Sequence, residues 1–340
     1  MTLSTRRMLK SLGVAMVAAV LAGIAYEQVG RWQDRKRYPQ IGRSVDIGGR
    51  TLNIHCVGEG GPVVIFESPG AGPGLLWKPI QDELAKFTRS CWYDRAGEGW
   101  SDPGPFPRTS IAIAKDLHEL LQRAGVPAPY LLVGASFGGL SARVYGHLYP
   151  KECAGFVLVD SAHEDEPLRA PRFYLARTAP PSLWRPLDLA FRAAAEIGLI
   201  RLLQSPLLSE PRGRQAELRG SQLVVERLRR QPKSVASNVL TGVVIPQTLA
   251  EARSVTSLGD RPLIVLAAGK PLSFGDPAMD RAAAEYQRVW VGEMQPRLAR
   301  LSTRGRMLVL PNSDHGSIPH EAIIEAIREV VSEFHQHPDL

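Results

Sequence analysis

The stretch Gly134-Ala135-Ser136-Phe137-Gly138-Gly139 sets a serine between glycines, after the apolar run Tyr130-Leu131-Leu132-Val133 and before a helical pattern through Leu140, Val144 and Leu148. A strand that turns this abruptly into a helix strains its central residue, and the flanking positions must be small to avoid a clash. The hydroxyl then stands clear of the backbone at the amino end of a helix, where the dipole favours developing negative charge. A free hydroxyl is almost fully protonated at neutral pH, so it needs a base to become a nucleophile. Of the eight histidines, His55 falls in a strand pattern, His118 and His147 in helical patterns, and His335 and His337 at the tail. His163, just past a strand, and His320, at a helix start, are weaker candidates than His315. The latter occupies the loop Asn312-Ser313-Asp314-His315-Gly316 after the last strand. No Cys-x-x-Cys or His-Glu-x-x-His spacing offers a metal centre, so the expected chemistry uses side chains alone, without metal or cofactor. Gly58-Glu59-Gly60-Gly61 lacks the lysine and the following helix of a phosphate cradle and reads as a hairpin turn.

The elements that must position these residues alternate between short β-rich runs and longer helical patterns. Apolar runs at 52–57, 63–67, 90–94, 130–134, 156–160, 263–267 and 307–310 are bounded by Gly, Pro, Asp or charged residues. Continuous apolar strands separated by helices indicate a parallel sheet covered on both faces. Ile111, Ala114, Leu117, Leu121 and Ala124 recur at helical spacing, with Thr109 or Ser110 as cap and Gly125 as stop. The last helix carries the stripe Ile323, Ile327, Val330 and Phe334. From 161 to 258 the alternation breaks, leaving Leu- and Arg-rich helical patterns punctuated by prolines. An insertion that long between two strands of one sheet reads as a helical cap over the carboxyl ends of the strands.

Beyond the serine turn, three stretches complete a resemblance to the α/β-hydrolase superfamily that runs from about residue 43 to residue 334. They are Phe66-Glu67-Ser68-Pro69-Gly70-Ala71-Gly72, then Asp94-Arg95-Ala96-Gly97-Glu98-Gly99-Trp100-Ser101, and the loop containing His315. The Asp-Arg-Ala-Gly-x-Gly-Trp-Ser stretch resembles a loop of the esterase-like branches. The resemblance implies a mostly parallel sheet with helices on both faces and an inserted helical cap. It makes Ser136 the nucleophile, His315 the base, and the backbone amides of Phe137 and Ala71 the oxyanion hole. It also implies a carboxylate behind the histidine. The commoner position follows the strand 263–267, where Asp276 and Asp280 come after Gly269, and Asp276 is preferred. The loop Lys270 to Gly275 is longer than the usual short turn. Asp160, which ends the strand 156–160, occupies an alternative acid position used in some lipases. Asp314 adjoins the histidine too closely in sequence to orient it.

The expected activity is hydrolysis of a carboxylic ester with an apolar acyl group, through an acyl-enzyme on Ser136. A serine nucleophile argues against relatives that attack with aspartate, such as epoxide hydrolases. A peptidase of the proline-iminopeptidase kind is an alternative, with Glu164, Asp165 and Glu166 available for a substrate amine, although those peptidases usually carry tryptophan where this chain has Phe137. A ligand-binding protein that has lost turnover is a further alternative, and its mark would be a broken triad.

Arg6, Arg7 and Lys10 precede an apolar run from Leu12 to Tyr26, and a charged stretch from Arg31 to Arg37 follows it. Residues 1–30 therefore read as a signal anchor or a cleaved signal peptide, with the anchor preferred. The protein would then be held at the membrane facing the extracytoplasmic side, or exported if the signal is cleaved. The core would comprise 31–160 and 259–340, and the cap 161–258. Cys56 and Cys91 both fall in strand patterns, and a disulfide becomes possible should the strands be neighbours, whereas Cys153 has no partner. The 340 residues, 44% of them hydrophobic, carry a net charge of +7 spread along the chain with little aromatic interleaving, which disfavours a nucleic-acid partner. Nothing in the sequence specifies an oligomeric state.

Overall fold

A strand covered on both sides by helices must supply one core with its odd positions and another with its even positions. The central strands do this. Val63, Ile65, Leu132, Phe156, Leu158, Leu263 and Val265 face one core, and Val64, Phe66, Leu131, Val133, Val157, Ile264 and Leu266 face the other. The structure, a computed structural model, describes residues 3–70, 72–172, 178–205 and 220–336. An amino-terminal helix α1 (Leu3–Arg37) precedes strands β1 (Arg43–Asp46), β2 (Thr51–Val57) and β3 (Val63–Glu67). Then come α2 (Lys78–Leu84), β4 (Ser90–Tyr93), α3 (Ser110–Ala124), β5 (Tyr130–Ala135), α4 (Phe137–Leu148) and β6 (Cys153–Val159). Six helices follow: α5 (Glu166–Arg169), α6 (Trp184–Glu196), α7 (Leu199–Leu203), α8 (Gly220–Arg229), α9 (Pro232–Val243) and α10 (Ile245–Arg253). The chain closes with β7 (Leu263–Ala268), α11 (Pro277–Val289), α12 (Gln295–Ala299), β8 (Gly305–Leu310) and α13 (His320–Gln336).

The eight strands form one sheet in the order β1-β2-β4-β3-β5-β6-β7-β8, parallel from β4 to β8 and antiparallel at the β1-β2-β4 edge. Helices α3 and α4 pack Leu117, Leu121, Leu140 and Val144 on one face. On the other, α2 and α13 supply Ile80, Leu84, Ile327 and Val330. The expected fold class is therefore what the chain adopts.

Three features depart from the sequence reading. The glycine-rich turn after β2 is not a hairpin, because β2 and β3 lie on opposite sides of β4; the turn crosses over a neighbour instead of joining two. Strand β1 carries only Val45 buried among exposed residues, which leaves too weak an alternation to read. Within the interval 161–258 every regular element described is helical, but α10 buries Leu249 and Ala252 in the same core as α3 and α4, so its end belongs to the layer over the sheet.

Helix α1 is long and apolar enough to cross a membrane, and it continues through the charged stretch Arg31 to Arg37 instead of ending before it. At the antiparallel edge Cys56 lies directly opposite Cys91 in register, and the two are joined, while Cys153 is free and buried. A cross-link over 35 residues removes conformations from the unfolded chain. Its loss is worth about 3–4 kcal/mol by loop-closure entropy. Alkylation of the denatured protein is expected to label one cysteine before reduction and all three after it. Cys56→Ser should lower the free energy of unfolding by about that 3–4 kcal/mol in a denaturant titration. Three thiols alkylated without reductant would show that no bridge forms.

Candidate active site

Ser136 sits at φ 49° and ψ −122°, a conformation that side-chain-bearing residues rarely adopt, at the point where β5 becomes α4. The neighbouring glycines make the turn sterically possible. A Cβ on Gly134 would come within 2.6 Å of the Gly138 carbonyl oxygen, and one on Gly138 within 2.4 Å of the Glu67 carbonyl oxygen. The turn is further held by the Ser136 N–H donating to Val159 O (3.0 Å) and by Ser136 O accepting from Gly139 N and Ala162 N (both 3.0 Å).

His315 reaches this serine from the loop after β8, with Nε2 3.0 Å from Ser136 Oγ and Nδ1 2.6 Å from Asp160 Oδ2. A carboxylate oxygen accepts, so Nδ1 carries the hydrogen and Nε2 is left to accept from the hydroxyl. Asp160, directly after β6, is itself at positive φ (42°) and only 2% exposed. Its Oδ1 accepts from Ala268 N (2.9 Å) and from Trp290 Nε1 (2.8 Å), which fixes the carboxylate plane. Burial by itself would lower the His315 pKa. The hydrogen bond and charge of Asp160, with the more distant charges of Glu166 and Asp314, outweigh it and hold the ring above the ordinary histidine value.

Asp276, the acid preferred from the sequence, is not part of this row. It is exposed and caps α11, accepting from Ala278 N and Met279 N (both 2.9 Å). The long loop before α11 explains the difference, because it carries residue 276 past the end of β7 to a helix start, where an aspartate satisfies free N–H groups. Asp280 accepts from Phe274 N (2.6 Å) and Ser273 Oγ (3.2 Å), stabilising that same loop. Asp314 accepts from Gly316 N (2.9 Å) within its own turn. The alternative acid, Asp160, is the carboxylate in contact with His315.

Of the two expected oxyanion donors, Phe137 opens α4 next to the serine, and Ala71 lies outside the described residues. The loop leading to Ala71 is held by Arg95, whose Nη2 donates to the carbonyls of Ser68 (2.8 Å), Pro69 (2.7 Å) and Gly70 (3.1 Å). Its guanidinium also lies 5.1 Å from the centre of the Phe137 ring. The preceding Asp94 is fully buried and accepts from Gly74 N (2.7 Å), Trp100 N (2.9 Å) and Asn53 Nδ2 (3.0 Å). The Asp94-to-Ser101 stretch thus holds the loop beside the serine turn.

One contributor, Trp290, carries no readable signal in the sequence. Trp290 opens a π-helical turn, Trp290–Met294, between α11 and α12, and its indole is aimed at Asp160. Glu166 lies at the start of α5, where burial pushes its carboxyl up to about 7. The other two members of the acidic cluster are already paired: Glu164 with Arg143 (3.0 Å), and Asp165 with Arg253 (2.6 Å) and Arg297 (2.5 Å).

An apolar cavity of about 190 Å³ lies between α6, α9 and the segment after β4, with Phe106, Ala195, Ala236 and Leu240 among its walls and Arg108 and Lys233 at its polar edge. Ala96, Arg108 and Ser237 separate it from a smaller space that reaches Gly70. Among the described residues no cluster of His, Cys, Asp or Glu could hold a metal ion.

Comparison with known proteins bears on the whole arrangement. The family model of the alpha/beta hydrolase fold matches residues 61–196, which contain the serine turn and Asp160. A probable transporter of Hormonema carpetanum is 34% identical over 142 residues, 38% of this chain and 20% of that protein. An uncharacterised vacuolar membrane protein of Saccharomyces cerevisiae is 34% identical over 124 residues, 35% of this chain and 19% of that one. The matched stretch thus spans about a fifth of the length of these curated relatives. Among solved structures, an esterase of Thermogutta terrifontis superposes with a TM-score of 0.52 at 22% identity, over 85% of this chain and 97% of its own.

The His315–Asp160 pair predicts a titration. Its raised pKa means that the contact stabilises the fold at pH values below the ordinary histidine pKa, and that this contribution is lost as pH rises through the folded-state value. Nuclear magnetic resonance of the His315 ring is expected to give a midpoint above about 6.5, with Asp160→Asn bringing it down. A midpoint unmoved by that substitution would mean that the carboxylate does not face the ring in solution.

Proposed function

We propose that this chain, which adopts the α/β-hydrolase fold, is a serine hydrolase cleaving carboxylic esters through an acyl-enzyme on Ser136. The hydrogen-bonded row Ser136–His315–Asp160 carries this reading. In the first step Nε2 of His315 takes the hydroxyl proton as Oγ attacks the ester carbonyl, and a tetrahedral oxyanion forms. Asp160 holds the Nδ1 tautomer and stabilises the imidazolium. The oxyanion accepts from the Phe137 amide and, by resemblance, from that of Ala71, while the amino end of α4 favours its charge. Collapse expels the alcohol, which takes its proton from Nε2. Water then repeats the sequence on the acyl-enzyme and frees the acid and the serine.

In this reading an apolar acyl or alcohol group of the substrate is assigned to the apolar cavity between α6 and α9, whose walls do not include Ser136 or His315. A substrate amine is poorly served, because Glu164 and Asp165 are paired with arginines and burial pushes the Glu166 carboxyl up to about 7, and this weighs against the peptidase alternative. The intact row weighs against a binding protein without turnover. Helix α1 supports attachment to a membrane, and the Cys56–Cys91 bridge supports placement of the sheet on an oxidising, extracytoplasmic side. Residues 161–258 act as the cap in this reading, with 31–160 and 259–340 as the core and the end of α10 packed on the layer over the sheet.

A fluorophosphonate probe, which reacts only with an activated serine, is expected to label the wild type and to leave Ser136→Ala unlabelled. On an activated ester, Asp160→Asn should lower kcat by about 10⁴ while retaining the fold, since the wrong histidine tautomer is then favoured. Asp276→Asn should leave kcat essentially unchanged. Loss in Asp276→Asn with activity kept in Asp160→Asn would return the acid to the sequence-preferred position. Folded wild type that takes no label would point to the binding protein.

A further inference from the structure

One edge of the helical region is apolar and faces outward. Leu189, Leu199, Leu202 and Leu203 are 60%, 42%, 45% and 60% exposed, and all four belong to α6 and α7. These two helices are also the ones that dock on α1. A Cβ on Gly23 would come within 2.3 Å of the Ile197 carbonyl oxygen, and one on Gly198 within 2.7 Å of the Gly23 carbonyl oxygen, so the backbones touch. Further along α1, Glu27 is 1% exposed and accepts from Arg201 Nε (2.7 Å) and Arg31 Nε (2.9 Å). Arg201 continues to Asp34 (2.9 Å) and Arg31 to Glu196 (2.7 Å). Buried charges need this degree of pairing, and the pairing holds the α6–α7 corner against residues 23–34 of α1.

That contact lies where the apolar part of α1 ends. A hydrocarbon layer about 30 Å thick takes about 20 helical residues, and with the long side chains of Arg7 and Lys10 reaching back to one interface the apolar run leaves it at the other by Tyr26, before the charged Glu27. Tyr26 and Trp32, 44% and 51% exposed, mark the boundary with the amphipathic rings favoured at the headgroup level, and Arg35, Lys36 and Arg37 follow as its charged flank. The corner Ile197-Gly198 packs against Gly23, at that boundary.

We propose that the α6–α7 edge rests in the headgroup region of the bilayer that α1 spans, with the four leucines as its inserted residues. This rests on α1 being a membrane span. A bilayer is the fitting occupant because the ion-paired junction already delivers the edge to its surface, and no separate partner has to be recruited. Lipid contact also suits the proposed activity. The cleft of about 580 Å³ between α1, the 99–103 segment and α9 shares Pro103, Glu196 and Lys233 with the apolar cavity.

Single cysteines can be labelled selectively, because Cys56 and Cys91 are bridged and Cys153 is buried. Full-length Leu189→Cys, Leu203→Cys, Val14→Cys and Ser332→Cys would each carry an environment-sensitive fluorophore in nanodiscs of phosphatidylcholine and phosphatidylglycerol. A headgroup-proximal nitroxide lipid is expected to reduce emission about two-fold at positions 189 and 203, as for an apolar face settled about 5–10 Å into the interface. A nitroxide near the bilayer centre should quench position 14, and neither should quench position 332. Quenching at 14 without quenching at 189 and 203 would overturn the docking and leave the membrane span standing. No quenching at 14 would overturn both. Emission at 189 and 203 shielded equally in detergent micelles and nanodiscs, and insensitive to nitroxide, would mean that another protein surface covers the edge.

Discussion

The carboxylate of Asp160 is enclosed at the carboxyl ends of β6 and β7, where water cannot solvate it, and it must be satisfied by protein donors alone. The donors come from three parts of the chain: the backbone of Ala268 ending β7, the indole of Trp290, and the ring of His315. Each of those parts is placed by something remote from the site. Parallel pairing of β6 with β7 brings Ala268 beside Asp160, the π-helical turn swings Trp290 inward, and the loop after β8 delivers His315. The positive φ of Asp160 is tolerated because these contacts over-determine it. The same argument holds for Ser136, where glycines and two backbone hydrogen bonds to its carbonyl maintain a conformation that the residue would not choose.

The loop opposite the serine is preorganised from the other side of the sheet. Arg95 gathers three successive carbonyls that would otherwise need water, and Asp94 ties the following turn at Gly74 to the strand β2 through Asn53. The β2–β4 edge that supports this stretch is the edge closed by the Cys56–Cys91 bridge. Covalent closure, the buried Asp94 carboxylate and the loop held by Arg95 therefore form one continuous support beside the serine turn.

Helix α1 adds a second level of organisation. A simple tether would have a polar, independent juncture with the rest of the chain. Here the juncture is a buried glutamate with two arginines, together with backbone-to-backbone contact at Gly23 and Gly198. Such contacts orient the helical region relative to α1, so the apolar cavity and the cleft beside it have a defined attitude toward any bilayer that α1 enters.

Much of the arrangement was legible in the residues themselves. The serine turn, the continuous apolar strands, the amino-terminal apolar run and the loop histidine are local patterns, because sterics at Ser136 and burial on two faces constrain adjacent residues in the chain. The bridge could be suspected, since both cysteines fell in strand patterns, but the antiparallel register that sets Cys56 against Cys91 is a property of the sheet. The acid shows the limit most clearly. Asp160, Asp276 and Asp280 all follow strands or open helices, and sequence distance from His315 does not distinguish them: Asp160 is 155 positions away. Strand order and the length of the loop before α11 decided between them, placing one carboxylate at the parallel junction of β6 and β7 and leaving the other two to stabilise a helix start and its loop. Local chemistry is written in neighbouring residues, whereas a buried carboxylate finds its donors only when distant segments close around it.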